Sequence, residues 1–154
     1  DIARHVFASL PFRRMIHSAE EICSYLLDLQ GVPDTYRHDD VRPGFVFRFD
    51  EKPEIDLEAL ERDANELVAR DIPISYWDEE HIALGEVVRP CSGPRMHVKS
   101  TGEIRKITIT KELLLEPITN QYLLVCIIGE HDENRVNDLK NIVNGWGGDN
   151  LCAF

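Results

Sequence analysis

The sequence predicts an α+β fold, a mostly antiparallel sheet packed against a central helix and flanking helices in two layers. Three stretches carry this expectation. Between Pro11 and Gln30, Ile16, Ala19, Ile22, Cys23, Leu26, Leu27 and Leu29 recur at three and four positions, the period of a helix face. Phe45 to Asp50 alternates and is rich in aromatic residues, as a strand does. Gln121 to Ile128 is an unbroken apolar run, which suits a central strand buried on both faces.

Taken in order, residues 1–10 carry no clear pattern. The stripe of the first helix is broad, which predicts burial over much of its circumference, and Gly31 with Pro33 stops it. Asp34 to Gly44 reads as a polar loop leading to the strand at Phe45. Pro53 to Arg70 reads as a second helix, with Ile55, Leu57, Leu60, Ala64, Leu67 and Val68 on one face and acids on the other. Ile72 to Trp77 follows as a strand, with Pro73 marking an edge or a start. Asp78 to Leu84 has the look of a short helix closed by Gly85, and Glu86 to Arg89 of a brief strand leading to Cys91. Ile104 to Thr110, continuing to Leu115, is expected to form a hairpin with 121–128. His131 to Val143 reads as a terminal helix.

At 154 residues, 43% of them hydrophobic, the chain is long enough to bury a core as one domain over 1–154. No apolar run approaches the roughly 20 residues that span a bilayer. The chain begins with Asp1 rather than Met, as a processed product or an excised piece would. A net charge of −11 argues against a surface coated for nucleic acid, while Arg95, Lys99, Arg105, Lys106 and Lys111 leave room for a local basic mouth. The four cysteines have no close paired spacing, and a reducing cytoplasm fits them.

The chemistry concentrates in Cys91 to Ile104, where a thiol and an imidazole flank a Gly/Pro turn. Cys91 and His97 suit two ligands of one metal, or a nucleophile and its base. His17 and Glu21 stand at i and i+4, on one helix face, and both side chains are zinc ligands by type. The bland alternatives are a surface helix pair and a buried cysteine beside an unrelated histidine. His38, His81 and His131 lie in polar contexts and are expected to face water.

These two pairs together resemble a known family. His17-Ser18-Ala19, followed at distance by Cys91-Ser-Gly and then His97-Val-x-x-Thr-Gly-Glu-Ile104, is similar to the editing domains of alanyl-tRNA synthetase and to the free-standing AlaX deacylases. These share a fold module with the additional domain of threonyl-tRNA synthetase. The family pattern is an HxxxH on a helix and a CxxxH in a Cys-Gly-Gly-Thr-His-Val turn, four side chains that bind zinc. The resemblance covers roughly 110 of the 154 residues and is most specific at Val98 to Ile104. Two departures stand out. Glu21 occupies the place of the second helix histidine, and the Cys-to-His spacing is lengthened, so that Gly93 takes the cysteine's place if no insertion is allowed.

The resemblance implies an aminoacyl-tRNA editing hydrolase that removes a mischarged small amino acid from the tRNA 3′-end. It implies His17, Glu21 and His97 in catalysis, and zinc on His17, Glu21, Cys91 and His97. Lys99, Thr101, Arg105 and Lys106 are then expected at the tRNA. The altered ligand set and the acidic charge equally suit an inactive editing-like fold serving as a binding or structural module. A metal-free hydrolase with Cys91 as nucleophile and His97 as base is a third reading.

Overall fold

The computed structural model of the chain describes the backbone of residues 2–41, 44–91 and 96–129, with side chains in those spans from residue 13 onward except at Val41. The terminal helix expected at 131–143 lies outside the described residues.

Helix α1 spans Ile2–Leu29. It starts well before Pro11 and continues through it, giving up one backbone hydrogen bond at that residue. Its second half is central: Ile16, Ser18, Ala19, Ile22, Cys23 and Leu27 are almost wholly buried. Helix α2 is Leu57–Ala69, four residues shorter at its start than the pattern of apolar residues suggests. Asp56 sets that start, because its side chain accepts from the Ala59 amide and ends the extended segment before it. Leu60, Ala64 and Val68 form its buried stripe.

The larger sheet contains β1 (Arg37–Val41), β2 (Gly44–Phe49), β6 (Ile107–Ile109), β7 (Leu114–Leu115) and β8 (Tyr122–Ile128). Its order is β1-β2-β8-β6, with β7 also on β8, and every pairing is antiparallel. The smaller sheet orders β3 (Ile74–Tyr76), β4 (His81–Leu84) and β5 (Val87–Pro90), also antiparallel. The fold is therefore α+β, with α1 and α2 packed on the sheet face that carries Phe45, Phe47, Phe49, Leu124, Cys126 and Ile128. Val46, Leu123, Val125 and Ile127 on the opposite face are buried as well, so β8 is the doubly buried strand its apolar run predicts.

Three local expectations are corrected. The segment 34–44 is not all loop, because Arg37–Val41 pairs residue for residue with β2. Its polar composition suits an edge strand, where charge blunts further pairing. Asp78 to Leu84 is not a helix. Asp78 accepts from the Glu80 amide to make a turn, and His81–Leu84 becomes the middle strand of the smaller sheet. Gly85, at φ +63°, then supplies the tight turn into β5. Finally, Ile104 belongs to a 3₁₀ turn, Thr101–Ile104, and not to a strand. Arg105 at φ +72° breaks the run, so β6 starts only at Ile107. On α2, Asn65 bonds both the amide and the carbonyl of Ile107, and Glu61 accepts from the Ile109 amide. Two side chains one helical turn apart thus close the outer edge of β6.

Candidate functional site

Residues 17–28 of α1 form one wall of a cavity of about 460 Å³, and Tyr36, His38 and Phe47 line it beside Arg89, Pro90 and Cys91 of the smaller sheet. Helical period places His17, Glu20, Glu21, Ser24 and Asp28 on this wall. Of the residues singled out in the sequence, His17, Glu21 and Cys91 line the cavity.

Glu21 takes part in a closed polar network. Arg89 Nε lies 3.0 Å from Glu21 Oε1, its Nη1 bonds Asp28, and its Nη2 lies 3.3 Å from Ser24 Oγ. Ser24 Oγ is in turn 2.9 Å from the Tyr36 hydroxyl. The guanidinium also sits 5.6 Å from the centroid of the Tyr25 ring, within cation–π range. Burial raises the Glu21 pKa, opposed by its bond to Arg89; burial also pushes the Tyr36 hydroxyl up to about 12. The expected place of Glu21 as a metal ligand is therefore taken by an ion pair, since the guanidinium supplies the positive charge a metal would bring.

Cys91 and His97 meet. Cys91 Sγ lies 3.5 Å from His97 Nε2. His97 Nδ1 lies 3.1 Å from Ser18 Oγ, and the same hydroxyl oxygen accepts from the Val98 amide at 3.0 Å. Ser18 is fully buried. One hydroxyl on α1 thus fixes both the ring and the backbone of a segment 79 and 80 positions further along the chain. The His97 amide also donates to the Tyr76 hydroxyl at 3.4 Å. Cys23, Cys91 and Cys126 form no disulfide, and burial pushes the Cys126 thiol up.

A third cluster joins α1 to the edge strand. His38 Nδ1 lies 3.2 Å from Glu20 Oε2, and His17 Nε2 lies 3.8 Å from Asp40 Oδ2. Ligand atoms of Glu20, His38 and Asp40 all lie within 4.8 Å of one another, so the three can hold a metal ion. Glu20 is only 8% exposed, and burial pushes its carboxyl up to about 7, with the His38 bond opposing and the Asp40 carboxylate reinforcing that rise. The His38 pKa is raised as well, but for a different reason: its bond to Glu20 favours the charged form, against partial burial.

The residues expected at the tRNA lie apart from the cavity lining. Lys99, Arg105 and Lys106 are exposed. Thr101 is fully buried, and its hydroxyl donates to the Leu67 carbonyl at 2.6 Å while accepting from the Ile72 amide at 2.8 Å. That side chain fastens the 3₁₀ turn to the end of α2 and has no exposed surface to offer a ligand.

Sequence reasoning passed over Ser18, Glu20, Asp40 and Arg89; His38, expected to face water, is exposed and also bonds Glu20. The His38-x-Asp40 spacing was the available signal, because on a strand it sets both side chains on one face. A search with protein-family models finds no match to the chain, and a search of the curated proteins finds none.

Proposed function

We propose that the protein is an aminoacyl-tRNA editing hydrolase, cleaving the ester between a mischarged small amino acid and the tRNA 3′-end. One observation carries the reading. Residues of the two segments in which the resemblance is strongest, 15–27 and 91–107, meet: the Ser18 hydroxyl contacts His97 and Val98, and His17, Glu21 and Cys91 line one cavity.

Zinc is the proposed cofactor, with Cys91 and His97 as its first two ligands. Their 3.5 Å separation agrees with the ~3.6 Å between neighbouring ligands on a tetrahedral zinc, taking bond lengths of ~2.3 Å to sulfur and ~2.1 Å to nitrogen. His17, on the wall of the same cavity, is the proposed third. Ser18 has a second lone pair free to accept from His97 Nδ1–H, the usual outer partner of a ligating imidazole. Zinc bound there supplies a polarised ester carbonyl or a water of lowered pKa. The carboxylates of the cavity receive the substrate's amino group. Lys99, Arg105 and Lys106 offer point charges to the terminal phosphates.

The test is release of serine or glycine from mischarged tRNA by the purified chain. Hydrolysis should exceed the spontaneous rate, and His97→Ala should lower it by about 100-fold or more. Stripping the metal should abolish it. A second reading, an inactive editing-like binding module, is favoured by the cavity's charge, in which the carboxylates Glu20, Glu21, Asp28 and Asp34 outnumber the basic groups Arg89, His17 and His38. Release at the spontaneous rate with zinc supplied selects that module.

A further inference from the structure

β1 is an edge strand whose residues alternate between two sides. His38 and Asp40 pair with Phe47 and Phe45 of β2, the residues whose rings pack toward the helices. Asp39 lies on the other side and pairs with Arg48. The alternation therefore turns His38 and Asp40 toward α1, where Glu20 stands within ligand distance of both. Among the described residues, nothing supplies a full complement of donors to this cluster: Glu20 Oε1 is buried with no hydrogen-bond partner, as is Nδ1 of His17 on the same helix. An orphaned oxygen on a carboxylate that is 8% exposed carries a desolvation cost that a cation removes.

We propose that Glu20, His38 and Asp40 form a binding site for one divalent cation of the first-row transition series, clamping α1 to β1. One imidazole nitrogen with two carboxylate oxygens is a donor set for zinc, manganese or ferrous ions. Calcium and magnesium prefer oxygen alone, and thiolate-seeking ions lack their ligand. The site does not depend on the deacylase reading, and it shares no ligand with the Cys91–His97 pair. Its position, between a central helix and a sheet edge, makes it a brace for the wall of the cavity.

Cobalt(II) titrated into the full chain reads the site directly, because cobalt bound by a thiolate shows a charge-transfer band and cobalt bound by imidazole and carboxylate does not. The wild type and Cys91→Ser should both bind an equivalent of cobalt without that band. Glu20→Gln and His38→Gln should each weaken this equivalent at least about tenfold, and should lose the cobalt-dependent rise in melting temperature. Melting in EDTA checks that both variants fold. A second equivalent that carries the thiolate band and vanishes in Cys91→Ser belongs to the other pair and leaves the proposal standing. The proposal is overturned if cobalt does not bind, if Cys91→Ser removes all binding, or if the two variants bind as tightly as the wild type.

Discussion

Glu20 and Glu21 are neighbours on one helix and line one cavity, yet they stand in opposite conditions. Glu21 meets Arg89, and that guanidinium reaches on to Asp28 and Ser24. Glu20 meets a histidine through one oxygen and has the Asp40 carboxylate, not a cation, beside it, while its other oxygen has no hydrogen-bond partner among the described residues. The difference comes from what each faces: a β5 residue with a long cationic side chain, or an edge strand carrying an imidazole and another acid. It teaches that burial alone does not make a carboxylate reactive. The decisive factor is whether the opposing element brings a permanent positive charge.

The comparison is broken most severely by Arg89→Met, which keeps the aliphatic stem and removes the charge. With the ion pair's two side chains only 14% and 17% exposed, Glu21 then resembles Glu20. Urea denaturation at pH 7 should show a loss of about 3–5 kcal/mol. An unchanged midpoint would mean that the ion pair contributes nothing net.

Replacing Glu20 by Gln should act in the opposite direction. A folded pKa of about 7 against an ordinary 4.5 means that the folded state holds the proton more tightly. Its contribution is complete below pH 4.5 and is lost as pH rises through 7. In EDTA, wild-type stability should therefore fall by on the order of 2–3 kcal/mol between pH 4.5 and 8 on account of this group. Glu20→Gln should flatten that part of the profile and be the more stable protein at pH 8. Identical slopes for the two proteins would show that folding leaves the Glu20 pKa unshifted. Smallest of all is Ser24→Ala, which removes one outlying member of the Arg89 network and leaves the charges paired. Thermal melts should register about 0.5–1.5 kcal/mol.

Much of the fold was legible because burial and period coincide in it. The α2 stripe, the Phe45–Phe49 alternation and the Tyr122–Ile128 run each have one explanation. β1 was illegible because an edge strand made of Arg37, His38, Asp39 and Asp40 has no apolar period to read. β4 was obscured because Ile82-Ala83-Leu84 after three acids suits a helix as well as a strand. The same failure hid part of the site. His17, Glu21, Cys91 and His97 were visible as ligand types at suggestive spacings. His38 and Asp40 gain a shared face only once β1 exists, and Glu20 looked redundant beside Glu21. Arg89 and Ser18 were hidden for a different reason. Their roles are set by partners 61 to 80 positions away, beyond any local pattern.

The strand order has a consequence for synthesis. β8 lies between β2 and β6, so the middle of the larger sheet is the last of its described strands to leave the ribosome. Until residue 128 has emerged, β2 has an open edge from Gly44 to Phe49, carrying three phenylalanines that end up buried. A nascent chain of that length therefore displays an unpaired apolar strand, a template for wrong pairing between chains. His17, Ser18, Cys91 and His97 will all have emerged before the strand that completes the sheet beneath them.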